Sequence, residues 1–194
     1  MKSQRGFTLI EVLVVLVIIA TLVSMAAINT GGDPRKEHLL NEAERLKFFL
    51  EAVSDEAVFQ NKDIGFEVTK NKMTPYSNEV AVSTNNNNAN SGSTVPETKY
   101  EWVAYKGRFT DVFELSMEDM SFSLTVDGQA VILDYSQEKK ESDKIETESI
   151  QFFILSSGEQ TVASFEISIE DLEFSSTTRG TGVGRFYVDA NNNE

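Results

Sequence analysis

The chain of 194 residues has no cysteine, one histidine (His38) and only three prolines. Without cysteine it can form neither disulfides nor thiolate zinc sites, and thiol catalysis is excluded. A single histidine leaves almost no material for histidine-based metal sites or for a Ser-His-Asp arrangement. Positive charge is also scarce, because seventeen Lys and Arg stand against thirty-one Asp and Glu, a net charge of −14. A chain this acidic repels phosphate backbones, so we expect no nucleic-acid partner.

The apolar residues are distributed unevenly along the chain. They make up 40% of it, with thirteen Phe, and the length suits one ordinary domain with an appendage. Residues 7–28 (FTLIEVLVVLVIIATLVSMAAI) contain one charge, Glu11. Beyond residue 28 there are 15 basic against 30 acidic residues, a net charge of −15. The pattern predicts an apolar N-terminal helix followed by an acidic domain.

The apolar run has the length of a membrane helix. Twenty-two helical residues span about 33 Å, close to the hydrocarbon thickness of a bilayer. Lys2 and Arg5 precede the run, so the positive-inside rule places the N-terminus in the cytoplasm and the rest of the chain across the membrane. Two alternatives stay open: a cleaved signal peptide, for which Ser24–Ala27 is the nearest cut site, and a plain uncleaved anchor. Neither of them explains Glu11.

Glu11 is the unusual residue of this segment. A carboxylate inside an apolar membrane helix costs about 2.5–3.5 kcal/mol on insertion scales. It must therefore reach the membrane interface or meet a cationic partner. A new amino terminus, made by a cut between Gly6 and Phe7, would supply that cation.

Residues 5–13, RGFTLIEVL, resemble the type IV prepilin signal, in which a basic leader and a Gly precede an aromatic residue and an intramembrane Glu. The resemblance implies that a membrane prepilin peptidase cuts after Gly6 and N-methylates Phe7. It also implies that Glu11 pairs with the Phe7 amine of a neighbouring subunit. Major pilins often carry a Pro at the twenty-second mature position, which is Ile28 here.

A second helix is predicted from Pro34 to about Gln60, after a polar hinge at residues 29–33. Asp33 is a good N-cap and Pro34 suits the first helical position. One apolar face recurs at spacings of four and three: Leu39, Ala43, Leu46, Leu50, Val53 and Ala57. The solvent side is predicted to carry the charges: Glu42, Glu44, Arg45, Lys47, Glu51 and Asp55. We expect the C-terminal half to lie on a sheet and the N-terminal half to continue the stalk.

From Ile64 the apolar pattern has a period of two, which predicts β-strands. Asp127-Gly128 between two such runs predicts a hairpin. The predicted strands are residues 64–68, 100–105, 112–115, 121–126, 130–135, 150–155, 162–169 and 183–188. About eight short strands after a long helix indicate an α+β fold. Three polar segments, residues 84–96, 136–149 and 189–194, are predicted to be mobile surface segments.

The second half of the chain adds a resemblance to the H-type minor pseudopilins of the GspH/FimT group. Residues 152–159 (FFILSSGE) resemble that group's strand and turn, so Ser156, Ser157, Gly158 and Glu159 form the candidate family turn motif. Residues 57–66 resemble its helix exit into the first strand. The resemblance implies a pilin-like α+β fold, a long N-terminal helix packed on antiparallel sheets.

Three other motifs are weak. Residues 179–184 (RGTGVG) are spaced like a glycine-rich phosphate loop, but a strand rather than a helix is predicted after them, which favours a turn. Residues 189–193 (DANNN) imitate the opening of a calcium loop without its later Gly and Glu. Ser156 and Ser157 lack a base that could make either a nucleophile. We therefore expect no enzyme activity, cofactor or metal site.

The resemblance implies five segments: a cleaved leader (residues 1–6), a transmembrane and assembly helix (7–28), a hinge (29–33), an amphipathic stalk continuation (34–61) and a β-rich periplasmic domain (62–194). It implies a non-enzymatic minor pseudopilin of a type II secretion system, single-pass in the inner membrane with a cytoplasmic N-terminus. Such a protein assembles into the pseudopilus, at or near its tip, for export across the outer membrane. The implied partners are other pseudopilins, the prepilin peptidase, the inner-membrane secretion platform and secreted cargo.

Two alternative functions remain open. The first is a FimT-like minor pilin of a type IV pilus, for priming or DNA uptake. The second is an anchored periplasmic binding protein or enzyme unrelated to pilins.

Overall fold

The computed structural model describes residues 8–28, 33–81, 99–108, 112–133, 144–145 and 147–192. Gly6, Phe7, the hinge residues 29–32 and the predicted mobile segment 84–96 lie outside the described residues. The chain divides into two compact units, Met1–His38 and Leu39–Glu194.

The first unit contains an apolar helix, α1 (Leu9–Ile28). It begins after Thr8, whose carbonyl oxygen accepts the N–H of Glu11 at 3.1 Å. From Leu9 to Ser24 every side chain is exposed. No helix within the described residues combines the length and the apolarity needed to cross a membrane.

The second helix, α2 (Pro34–Gln60), begins at the predicted N-cap. The N–H of Arg35 donates to Oδ1 of Asp33 at 3.0 Å, and the Arg35 guanidinium lies 3.1 Å from Oδ2. These contacts, the side-chain hydrogen bond from Arg35 first, lower the pKa of Asp33 below its ordinary value of 3.8. The cap therefore carries its charge at neutral pH and favours the helix N-terminus.

The predicted apolar face of α2 is buried along its whole length. All six residues of the 4-3 pattern, from Leu39 to Ala57, have almost no exposure, and Phe49 joins them. Burial begins at Leu39, only five residues into the helix, so most of the predicted stalk half also packs in the globular core.

The placement of Glu42 on the solvent side is wrong. Its side chain is only 5% exposed, because its position borders the apolar face. The Arg45 guanidinium compensates the buried charge at 2.6 Å. Arg45 also donates to the carbonyl oxygen of Glu114 and lies 4.1 Å from the centre of the Phe113 ring.

The strands are short and follow α2. In chain order they are β1 (Ile64–Val68), β2 (Lys72–Ala81), β3 (Lys99–Ala104), β4 (Phe113–Glu114), β5 (Met120–Val126), β6 (Gln129–Val131), β7 (Lys144–Ile145), β8 (Phe152–Ile154), β9 (Ala163–Ile169), β10 (Phe174–Gly180) and β11 (Phe186–Asn192). A single 3₁₀ turn, Thr147–Ser149, is described between β7 and β8.

Two antiparallel sheets result. We name them sheet A, with the order β7-β3-β2-β1-β8 and β4 paired to β2, and sheet B, with the order β11-β10-β9-β5-β6. The β5–β6 hairpin turns at Asp127-Gly128, where both residues have positive φ angles, as predicted. The expected α+β fold with antiparallel sheets is therefore confirmed.

Several boundaries differ from the sequence prediction. β2 and β10 were not predicted, and β6 ends at Val131 rather than near residue 135. The last strand begins at Phe186 and continues to Asn192, so residues 183–185 form a turn and residues 189–192 are strand rather than a polar tail. The charged segment 136–149 includes β7 and the 3₁₀ turn, so its described part is ordered structure.

One hydrophobic core joins α2 to both sheets. Phe152 of β8 lies at its centre, with ring centroids of Phe66 and Phe165 at 5.2 and 5.3 Å and that of Phe186 at 6.4 Å. Edge-to-face and tilted contacts of this kind add to the free energy of apolar burial. The core thus depends on aromatic residues drawn from four strands.

A smaller cluster covers the other face of sheet A. Trp102, Tyr76 and Ile150 pack together, with Phe153 at 5.8 Å from the Trp102 ring. They lie over Gly65, where an added Cβ would be 2.6 Å from Ile150 and 3.1 Å from Trp102. Gly65 therefore leaves the space that these side chains fill.

Replacing Phe152 by Ala should reduce the free energy of unfolding by about 3–5 kcal/mol, because the cavity removes contacts to three rings. Phe48→Ala is the matched control, since Phe48 is 63% exposed; the expected change is within about 0.5 kcal/mol. Urea unfolding of the full chain in detergent measures both. Equal losses for the two variants would contradict the central place of Phe152.

Candidate functional site

The N-terminal helix presents an apolar surface with one charge. Glu11 lies in the first turn of α1, where the helix dipole favours a carboxylate, and its side chain is exposed like those around it. Gly6 and Phe7 are outside the described residues, so the cleavage and the N-methylation stay predictions. A helix that is apolar on every side needs lipid or other helices around it.

The Ser156–Glu159 turn connects the two sheets. It follows β8 of sheet A and leads to β9 of sheet B. Leu155 and Glu159 close it, since the N–H of Leu155 donates to the Glu159 carbonyl oxygen at 2.8 Å. Gly158 has a φ of +87°, a conformation that favours glycine. The Ser156–Glu159 turn is therefore the place where the chain passes from sheet A to sheet B.

The turn is tied to the exit of α2. The N–H of Ser156 donates to Oδ1 of Asp63 at 2.8 Å, and Asp63 directly precedes β1. β1 and β8 are neighbours, with Ile64 opposite Ile154. The two stretches that resemble the family, residues 57–66 and 152–159, thus meet in the structure. Their joint role is to hold the helix exit and the sheet crossing together.

The glycine-rich segment 179–184 packs on the same turn. The N–H of Gln160 donates to the Gly182 carbonyl oxygen at 3.0 Å. Gly184 has a φ of +69°, and a Cβ there would lie 2.6 Å from Oγ of Ser54 on α2 and 3.5 Å from the Gly158 carbonyl oxygen. The segment begins as the end of β10, and its remaining residues, 181–184, turn into β11, so it is not a phosphate loop.

The last strand, β11, is bound by a side chain of α2 at its start and by a side chain of β10 further along. The N–H of Phe186 donates to a carboxylate oxygen of Glu51 on α2 at 3.2 Å. Asp189 lies within β11, 3.7 Å from the Arg179 guanidinium, so the calcium-like sequence begins in a strand instead of a loop. Across the described part of the chain, no three acidic or histidine side chains converge as metal ligands.

Sequence reasoning found the turn but missed Asp63, which holds it, and two residues of α2 beside it: Ser54, which lies against Gly184, and Glu51, which binds the start of β11. Asp63 lay inside the family-like stretch, immediately after the helix, and that position could have marked it. Ser54 and Glu51 carried no such signal, because their partners are more than a hundred residues away along the chain. The hydroxyl of Ser157 accepts the N–H of Glu159 at 3.4 Å, a structural role.

The chain is similar to a family model, to a named relative and to solved structures. Residues 1–27 match the family model described as a prokaryotic N-terminal methylation motif. "Type II secretion system protein H" of Pseudomonas aeruginosa is 33% identical over 162 residues, covering 82% of this chain and 80% of that protein. The crystal structure of the minor pseudopilin EpsH from the type II secretion system of Vibrio cholerae has a TM-score of 0.51 and 16% identity, covering 79% of this chain and 94% of that chain.

The chain shares the antiparallel α+β fold of the Vibrio cholerae structure, and its first 27 residues carry the N-terminal methylation motif. The identity to the Pseudomonas protein extends over most of both chains. The chain therefore belongs to the type II secretion system protein H family. The resemblance seen in the sequence is confirmed.

A left-handed conformation costs a non-glycine residue about 1–2 kcal/mol. Gly184→Ala should reduce the free energy of unfolding by more than this, because the new Cβ also meets Ser54. Gly128→Ala is the control, since Gly128 has a φ of +79° with open space around it. Adding Ser54→Ala should restore part of the stability of Gly184→Ala. Thermal unfolding of the wild type and the three variants measures this, and an equal loss at both glycines would contradict the contact.

Proposed function

We propose that this chain is a structural, non-enzymatic subunit of the type II pseudopilus, held in the inner membrane by residues 7–28. Its N-terminus lies in the cytoplasm and its β-rich domain in the periplasm. Family membership and the prepilin signal support this topology, together with the basic leader that precedes the apolar run.

One observation carries the mechanism: α1 is apolar and charged only at Glu11, and its side chains from Leu9 to Ser24 are exposed on every side. Such a helix can leave lipid for a bundle of similar helices, because one apolar surrounding replaces another. A carboxylate in that bundle is costly unless it is paired. We propose that the Phe7 ammonium of an adjacent subunit pairs with Glu11 and sets the axial register.

The amino terminus that Glu11 needs must be made by processing. We propose that prepilin peptidase cuts between Gly6 and Phe7 and that Phe7 is then N-methylated. An N-methylated amine keeps its positive charge, so the modification preserves the pairing with Glu11. The inner-membrane secretion platform would then insert the subunit into the growing pseudopilus.

The acidic domain favours a position at or near the tip of the pseudopilus. Its net charge of −15 beyond residue 28 would be repeated at every step of a filament built from this subunit. Like charges at close spacing repel, whereas a single copy at an end avoids that cost. Neighbouring pseudopilins and secreted cargo are the proposed partners of this domain.

Mass spectrometry of the amino terminus from the membrane fraction should find N-methylated Phe7 as the first residue. The expected product lacks residues 1–6, and cells without prepilin peptidase should retain them. A mature protein that keeps Met1, or that begins near Ala27, would contradict the proposed processing and, with it, the pairing of Glu11 with the Phe7 amine.

Glu11→Gln should leave membrane insertion intact and strongly reduce both pseudopilus incorporation and exoprotein secretion. Removing one partner of a buried ion pair costs about 3–5 kcal/mol, and here the Phe7 ammonium would be left unpaired. Glu37→Gln, an exposed position on α2, is the control. Secretion assays in a strain lacking its own copy measure the effect; wild-type secretion by the Glu11 variant would refute the pairing.

A further inference from the structure

The face of α2 that points away from the core carries two exposed phenylalanines. Phe48 is 63% and Phe59 is 87% exposed. They fall on one line along the helix with Ala52 and Asp55, at spacings of four, three and four residues. This line is about 180° around the helix from the buried face. We call these four residues the outer stripe.

The spacing of the outer stripe indicates which kind of secondary structure can pack against it. Apolar positions at alternating three and four residues form the seam of a helix pair, in which side chains of one helix fill holes of the other. Ala52 leaves such a hole between the two Phe rings. An extended strand repeats every two residues and would not follow this line. The stripe therefore fits an α-helix.

The area of the outer stripe indicates a partner that is already held nearby. Two Phe side chains bury at most about 150–250 Å² each, well below the roughly 800 Å² per partner of a stable interface. A free soluble protein would not stay bound by this contact alone. A subunit fixed beside this one by its own N-terminal helix has a high effective concentration, and a small contact then suffices.

The charges around the stripe indicate a basic partner. Asp55 lies within the seam and is exposed, and Glu44 and Glu56 are near its flanks. Two cations of α2 lie near it and both are already paired: Lys47 is 3.2 Å from Glu44 and 5.3 Å from the Phe48 ring, and Arg45 is 2.6 Å from Glu42. A carboxylate in an apolar seam is tolerated best when the partner helix places a Lys or Arg opposite.

We propose that the outer stripe docks an α-helix of another pseudopilin, which presents a basic side chain to Asp55. The inference rests on the proposed function and adds the contact, its geometry and its charge. It assigns the two faces of α2 to different tasks. The inner face closes the core, and the outer face recognises a neighbour.

Photo-cross-linking of the full chain in secreting cells tests the proposal. A benzophenone amino acid at Phe59 should yield an adduct with another pseudopilin, mapped by mass spectrometry to a helical segment of that protein. The same probe at Val183, an exposed apolar residue of the turn before β11, is the matched control and should give several-fold less. Asp55→Arg should reduce the Phe59 adduct several-fold, and Asp55→Asn should reduce it less.

A probe at Leu16 of α1 separates this inference from the proposed function. Adducts to pseudopilins from Leu16 but none from Phe59 would overturn the outer stripe and leave the function intact. Adducts from neither position would overturn both. A Phe59 adduct to a second copy of this chain, or to a strand or loop, would also overturn the proposal. Phe48→Ala should weaken the Phe59 adduct without changing the unfolding midpoint.

Discussion

The inner face of α2 is the constraint on which the rest of the domain depends. Sheet A reaches it through Phe66, whose ring is 6.4 Å from that of Phe49. Sheet B reaches it through Thr178, whose hydroxyl donates to the Ala43 carbonyl oxygen at 3.3 Å. Because both sheets close on one helix, any residue that sets their mutual position must act near that helix. The Ser156–Glu159 turn and Gly184 both lie close to α2 and act in this way.

Much of the fold could be predicted because its signals are local. The N-cap at Asp33, the 4-3 pattern of α2 and the alternation in β1, β5 and β9 each lie within a few residues. β10 (FSSTTRG) could not be predicted, since the buried residues between Phe174 and Arg179 are all Ser and Thr. Small polar side chains let α2 approach closely, and Thr178 finds its partner on Ala43. A strand whose buried residues are mostly polar, with Thr178 bonded to a distant helix, leaves no apolar pattern to detect.

The residues of the candidate site also divide into those with a local sequence signal and those that depend on distant partners. Gly6 and Phe7, the proposed cleavage site, and Glu11, the proposed assembly residue, lie within one short segment, so the sequence carries their whole signal. The Ser156–Glu159 turn could be recognised, but its anchor Asp63 is 93 residues away in the chain. Glu42 was wrongly predicted to be exposed for a related reason. It lies at the border of the apolar face, where a carboxylate can be buried if an arginine pairs with it. Arg45 does so, and the contact of Arg45 with Glu114 comes from tertiary structure.

The carboxylate of Glu51 affects whether a strand of another molecule can add to sheet B. β11 is the end strand of sheet B, and free backbone amides on such strands are where chains of separate molecules add to one another. Glu51 occupies the first of these amides, at Phe186, from within the same molecule. A second copy of the chain therefore finds this position on the end strand already bound and cannot extend sheet B from it.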